Sequence, residues 1–294
     1  MHADDLDLTE IWGQIYVNGK LAAAGGAAIS ALDRGLLYGD GVFETIRVYS
    51  GRPFMLDAHL ERMAEGCSVI SLPMPDPKEI KRGAERVLEA NGLSDAYLRI
   101  TVTRGATGSL WHDLAQASPT IIIMTKPFSP QEFGEGLRLA VSTFRSDEQS
   151  PLSRIKQAGI LWKILARAEA KRAGMDDAVL LNTNGHIAEA TSANILWMRS
   201  GTLYTPSLNC GILSGITRRI VIEIAREQGI AVVEGEFALG ELGAADEAFL
   251  TSSTLEVAPI RSLNDKEFAD AAPGPATRQF MELYHSRTLC ITSH

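Results

Sequence analysis

The stretch Arg154-Ile155-Lys156-Gln157-Ala158-Gly159 decides how the rest of the chain is read. A lysine stands just ahead of a small-residue turn. From Leu161 onward apolar residues recur at 161, 164, 165 and 168, the spacing of one face of a helix. Further on comes Gly185-His186-Ile187-Ala188-Glu189-Ala190-Thr191-Ser192-Ala193-Asn194, and then Gly211-Ile212-Leu213-Ser214-Gly215-Ile216-Thr217-Arg218. Each piece alone is ordinary. A lysine before a helix is commonly a solvated charge, a glutamate between strand residues an edge charge, and Ser-Gly-Ile-Thr a helix cap. Their order in one chain is what carries information: an amine, then a carboxylate, then a helix start suited to an anion.

The bulk numbers bound the answer. The chain has 294 residues, of which 45% are hydrophobic and 22% charged, enough for two modest domains with their own cores. A formal net charge of -8 argues against a general nucleic-acid partner. Cys67, Cys210 and Cys290 are widely spaced, and the six histidines show no ligand spacing, so neither a disulfide framework nor a metal site is expected. Residues 1–10 are acidic and lack an apolar signal core, and no apolar run is long enough for a bilayer. The expectation is a cytoplasmic protein with no membrane partner.

In order, 1–10 reads as a loose tail, 11–17 as a strand, and Asn18-Gly19 as a hairpin turn. Within 32–49 the second half alternates as a strand that ends at Ser50-Gly51. Gly39-Asp40-Gly41 lacks the full glycine fingerprint and leads into a strand, so no dinucleotide site is read there. Asp57 is placed as the cap of a helix with Leu60, Met63, Ala64 and Cys67 on one face, and with His59 and Arg62 three apart beside it. Asp76-Pro77 starts a second helix that stops at Asn91-Gly92. Strands are read at 96–103 and 120–125, with a glycine-rich loop at 104–112 between them. Two prolines and two glycines make 127–136 the linker candidate. The expected division is 1–128 for a small N-terminal domain, 129–136 for a linker and 137–294 for a larger domain. In the larger domain, strands are read at 137–144, 177–182, 187–197, 230–234, 247–250 and 257–260. Helices are read at 161–173, 215–228 and 276–286, and Thr251-Ser252-Ser253-Thr254 as a hydroxyl-rich turn. The class is α+β in two domains.

A reactive amine, a carboxylate and a phosphate cradle are the parts needed to hold pyridoxal phosphate. The chain resembles the fold-type IV enzymes that use this cofactor: branched-chain aminotransferases, D-amino-acid aminotransferases and aminodeoxychorismate lyases. The resemblance runs from about Ile15 to Tyr284. It rests on Tyr-Gly-Asp-Gly-Val-Phe-Glu (38–44), His-Leu-Glu-Arg (59–62), Ile-Lys (155–156), Ala-Glu-Ala-Thr-Ser-Ala-Asn (188–194), Gly-Ile-Thr-Arg (215–218) and Thr-Ser-Ser-Thr (251–254). It implies a small N-terminal α/β domain, a larger barrel-like β-rich C-terminal domain and a homodimer. By resemblance Lys156 is the catalytic amine that forms the Schiff base, and Glu189 faces the pyridine nitrogen. Arg62, Ile216, Thr217, Ser253 and its neighbour Ser252 hold the phosphate, and Leu213 packs on the ring. For Leu213, an ordinary core position is an equally good reading of the residue itself.

One departure concerns subfamily. Many relatives carry a tyrosine four or five residues after the lysine; here those positions are Ile160 and Leu161. Tyr97-Leu98-Arg99 matches a Tyr-x-Arg pattern of branched-chain aminotransferases, in which the arginine helps receive the substrate carboxylate. Tyr38 and Phe43 match aromatic pocket walls, and Thr254 completes the substrate contacts. The D-amino-acid subfamily traps the carboxylate with Arg-x-His in the loop after Thr-Arg-Gly. Here those places hold Ser109 and Trp111, with His112 one residue late, so a charged trap would require Arg104 to turn inward. The expectation is an aminotransferase moving nitrogen from a branched-chain L-amino acid to 2-oxoglutarate. A D-amino-acid aminotransferase, an (R)-amine transaminase and an aminodeoxychorismate lyase remain open on the same scaffold.

Overall fold

The computed structural model describes residues 8–108, 114, 117–268 and 272–292. Ser109, Trp111 and His112 lie outside the described residues. The chain divides into two compact units: Met1–Ser129 with Ile155–Gly159, and Pro130–Arg154 with Ile160–His294. Assigning 137–294 without a break to the second domain therefore needs correction. Residues 155–159 group with the first unit, because their backbone pairs there with Gly41 and Phe43.

The first unit contains α1 (Leu8–Trp12), β1 (Gln14–Val17), β2 (Lys20–Ala23), α2 (Arg34–Tyr38), β3 (Gly41–Tyr49), β4 (Arg52–Pro53), α3 (Leu56–Val69), α4 (Pro77–Asn91), β5 (Ala96–Thr103) and β6 (Thr120–Pro127). Its sheet has the order β2-β1-β6-β5-β3-β4, with every pairing antiparallel. Asn18 and Gly19 both take positive φ, as the tight β1–β2 turn demands. Asp76 accepts the Lys78 N–H and Pro77 opens α4, while Gly92 closes it in the left-handed region. Ile46, Leu98, Ile100 and Ile123 from the sheet meet Leu60, Met63, Ile80 and Val87 from α3 and α4 in one buried core. Each such side chain contributes about 2 kcal/mol by leaving water.

Two local readings change, and the structure adds one short helix. Ile11 and Trp12 belong to a helix, not a strand, and the strand begins only after Gly13 at φ 57 breaks the run. Asp57 is not a cap: α3 starts at Leu56 from Met55 in the left-handed region, and Asp57 sits in its first turn. Arg34–Tyr38 is a helix, capped by the Asp33 carboxylate on the Gly35 N–H at 2.8 Å.

The second unit contains β7 (Leu137–Ser146), α5 (Leu161–Arg172), β8 (Asp177–Asn182), β9 (Ile187–Ala190), β10 (Asn194–Arg199), β11 (Thr202–Pro206), α6 (Ile216–Glu227), β12 (Val232–Gly235), α7 (Leu239–Gly243), β13 (Glu247–Ser252), β14 (Glu256–Leu263), β15 (Lys266–Glu267) and α8 (Pro275–Thr292). The sheet runs β12-β11-β10-β13-β14-β7-β8-β9 with β15 beside β14. Its pairings are mixed: β11–β12, β14–β7 and β7–β8 are parallel. β9, last on this path, also lies against β10 and β11, so the sheet curls back on itself as a half-barrel. Leu139, Val179, Ile195, Trp197, Leu250 and Ile260 fill its interior. The strand read across 187–197 is broken at 191–193, and that break separates β9 from β10.

The apolar stripe of α5 is not a core face. Leu161, Ile164 and Leu165 are exposed, while Ala166 and Ala170 are the buried positions. Small residues let α5 lie close against β7 and β8.

Candidate active site

Residues 155–159 run as a short extended segment beside the start of β3. The Phe43 N–H donates to the Lys156 carbonyl at 2.9 Å and the Ala158 N–H to the Gly41 carbonyl at 2.8 Å. Val42 and Gln157 stand opposite one another. This pairing fixes the lysine's backbone and sets its Nζ 4.7 Å from the centre of the Phe43 ring. The Arg99 guanidinium lies 3.9 Å from the same centre. Phe43 pairs with Thr101 and Arg99 with Thr45, so Phe43 and Arg99 are diagonal neighbours on β3 and β5. Lys156, Phe43 and Arg99 are thus gathered around one aromatic ring, with cations favoured by its face.

Arg62 is held by a partner that motif reading did not single out. Its Nε donates to Glu44 Oε1 at 2.8 Å and its Nη2 to Glu44 Oε2 at 2.7 Å. His59 Nδ1 is 2.7 Å from the same Oε2. Glu44 and His59 are buried. Burial alone would raise the Glu44 pKa, but the Arg62 charge and the hydrogen bonds from His59 and Arg62 bring it down to about 2. Burial pushes the His59 pKa down; Glu44 opposes this only in part, and Arg62 and Lys156 add repulsion. The imidazole is therefore neutral at pH 7 and donates its Nδ1–H to the carboxylate. The signal was present in the sequence as His59 and Arg62 three apart on one helix.

Arg104 does not turn toward a substrate. It is 1% exposed. Nε and Nη2 bind Asp40, Nη1 binds the Ser71 and Leu114 carbonyls, and Nη2 also reaches the Ile70 carbonyl. All five N–H donors of a guanidinium are taken up. Tyr38 stands at the end of α2, exposed, with the Arg34 guanidinium 5.1 Å from its ring centre.

In the second unit Glu189 lies on β9, 4% exposed. Oε1 accepts from Lys163 Nζ at 2.6 Å, and Oε2 from Asn194 Nδ2 and the Leu213 N–H, both at 3.2 Å. Asn194 is the hub. Its Nδ2 also donates to the Leu213 carbonyl at 2.9 Å, and its Oδ1 lies so close to Gly215 that a side chain there would collide. Gly215 caps α6 without a side chain, so Ile216 and Thr217 open the helix with amides turned toward any anion. Asn194 pairs with Thr251, whose buried Oγ1 has no hydrogen-bond partner. Ser252, Ser253 and Thr254 form the half-buried turn that follows, and Ser252 Oγ accepts the Leu255 N–H at 3.1 Å. Thr217 is buried, with Oγ1 3.4 Å from the Tyr284 hydroxyl. Glu189, Leu213, Ile216, Thr217 and the 251–254 turn are therefore brought together through one asparagine. Lys163 and Asn194 are the contributions that motif reading missed.

Each unit holds parts whose chemistry suits pyridoxal phosphate: an amine on paired backbone in the first, and a buried carboxylate, a helix start without a side-chain cap and an orphaned buried hydroxyl in the second. The profile of the family "Amino-transferase class IV" matches residues 41–263. The chain belongs to the class IV aminotransferases. It is similar to a putative branched-chain-amino-acid aminotransferase of Methanocaldococcus jannaschii, 37% identical over 92% of this chain and 95% of that one. It is also similar to an aminodeoxychorismate lyase of Bacillus subtilis, 31% identical over 92% and 93%. Among solved structures, a T.th. branched-chain amino acid aminotransferase with pyridoxamine 5'-phosphate superposes with a TM-score of 0.87, at 28% identity over 93% of each chain. This class IV aminotransferase is accordingly a pyridoxal-phosphate-dependent transaminase.

Proposed function

We propose that this aminotransferase takes branched-chain L-amino acids as donors and 2-oxoglutarate as acceptor. The observation that carries the proposal is the grouping of Lys156, Phe43 and Arg99 around one ring while Arg104 is fully engaged elsewhere. An apolar wall with one guanidinium suits an aliphatic side chain and a carboxylate. The similarity to the M. jannaschii protein points the same way.

Lys156 supplies the amine, and Glu189 the negative charge for the pyridine nitrogen. Arg62, the Ile216 amide, Thr217, Ser252 and Ser253 hold the phosphate, with Leu213 against the ring. Tyr38, Phe43, Arg99 and Thr254 contact the amino acid. When bound, the cofactor supplies an electron sink for the carbanion at the substrate's α carbon. With the cofactor bound, Lys156 Nζ would be the group that takes and returns the proton at the substrate's α carbon. Glu44, through Arg62, keeps the phosphate-binding guanidinium oriented. The enzyme works as a homodimer in the cytoplasm. The exposed Leu161, Ile164 and Leu165 give a second copy an apolar face to cover. Among the described residues no helix is long and apolar enough to cross a membrane.

The test mixes cofactor-loaded enzyme with single amino donors and follows loss of the visible cofactor absorbance. Rapid loss with L-leucine, L-valine or L-isoleucine, reversed by 2-oxoglutarate, is the expected result. Response to D-alanine or an (R)-amine instead overturns the substrate assignment. Release of pyruvate from aminodeoxychorismate with no keto acid present would make it a lyase.

A further inference from the structure

Glu189 meets a cation before any cofactor is considered. Lys163, in the first turn of α5, sets its Nζ 2.6 Å from Glu189 Oε1. The lysine side chain is 21% exposed and the glutamate side chain 5%. This is not a solvated surface pair, whose worth salt and water would erode. The other carboxylate oxygen is already engaged by Asn194 Nδ2 and the Leu213 N–H. The lysine's ammonium also lies 5.3 Å from the Trp162 ring centre, a second attraction that holds it near.

We infer that Lys163 is a positioning residue that sets how strongly Glu189 holds the proton on the cofactor's ring nitrogen. The inference rests on the assignment of Glu189 to that nitrogen. A carboxylate that faces a pyridine nitrogen alone offers it a full negative charge. Here one oxygen shares its charge with an ammonium at hydrogen-bond distance, and the other accepts two neutral donors. The ring nitrogen meets a carboxylate partly neutralised, and a second cation stands beside the proton it would carry. Both effects weaken protonation of the ring, and ring protonation sets how well the cofactor draws electrons from the substrate. A unit charge a few Å away commonly alters proton affinity about tenfold or more. Lys163 therefore tempers the electron sink without touching the substrate.

The experiment loads the enzyme with pyridoxal phosphate carrying nitrogen-15 in the ring and records that nitrogen's NMR resonance at neutral pH. Wild type, Lys163→Gln, Lys163→Arg and Glu189→Gln are compared, with circular dichroism as the check on folding. Lys163→Gln is expected to move the resonance toward the fully protonated pyridinium position, and Lys163→Arg to restore the wild-type position. Glu189→Gln is expected to move it the opposite way. A lysine that merely pins the start of α5 would leave the resonance unmoved. If Glu189→Gln shifts the signal and Lys163→Gln does not, the role of Lys163 is overturned while that of Glu189 stands. If neither shifts it, the Glu189 assignment itself fails and the inference with it.

Discussion

Arg62 places two guanidinium nitrogens on Glu44, a carboxylate with no exposed surface, and His59 closes the third side. Removing the carboxylate strands a largely buried arginine and the buried His59. Glu44→Ala is expected to lower stability by about 3 kcal/mol, read by urea denaturation. It should also weaken cofactor binding, because Arg62 loses its orientation.

The same trio predicts acid sensitivity in two stages. His59 and Glu44 both have folded pKa values below their ordinary values of 6.5 and 4.5. A group depressed on folding contributes stability above its unfolded pKa and loses it as pH falls toward the folded one. Stability should decline first below about 6.5 through His59, then from 4.5 toward about 2 through Glu44. Thermal denaturation against pH should show His59→Gln removing the first decline and leaving the second.

The Lys156 carbonyl accepts from the Phe43 N–H and the Ala158 N–H donates to the Gly41 carbonyl, so both bonds that tie this segment to β3 use main-chain atoms. Lys156→Ala should therefore keep the fold while losing the visible cofactor band and all turnover. Measurable transamination by this variant would remove Lys156 from the mechanism.

Arg99 and Arg104 separate cleanly. Arg99→Gln is expected to raise the KM for amino donors about tenfold or more, the size of a lost charged hydrogen bond, with cofactor affinity unchanged. Arg104→Leu leaves three carbonyls without their donor and Asp40 with Arg34 Nε, so it should cost about 3 kcal/mol of stability. Its KM should stay at the wild-type value. An increase in KM for D-amino acids alone would contradict the structural role.

A methyl at Gly215 would collide with Asn194 Oδ1. Gly215→Ala should displace the amide that joins Glu189 and Leu213, and weaken cofactor binding about tenfold, near 1.4 kcal/mol. Equilibrium titration of the apoenzyme with pyridoxal phosphate measures this.

Much of the candidate site is legible as contiguous strings: Lys156 before a turn, Glu189 within a strand, Gly215-Ile216-Thr217 at a helix start. What escaped depends on elements meeting. Lys163 acquires its partner when the start of α5 reaches Glu189 on β9, and Asn194 acquires Glu189 and Leu213 only once the strands and the 213–215 turn meet. Saturation of Arg104 needs carbonyls from residues 70, 71 and 114, which no local pattern announces. The α5 stripe misled for the opposite reason. Helical periodicity reports an apolar face but not what covers it, and here Leu161, Ile164 and Leu165 face outward. Ile11 and Trp12 favour strands intrinsically, yet they close a helix that ends at Gly13.

The chain passes between its two units three times, after residues 129, 154 and 159. A gene fragment ending at 129 would therefore omit the five-residue segment that pairs with Gly41 and Phe43, and expose their main-chain groups at a raw edge. Cutting within 130–136 should leave the two pieces associated, since the later piece still carries residues that complete the earlier one. For this enzyme, dissection by truncation gives an unfinished module, whereas a nick at the same place should give a complementing pair.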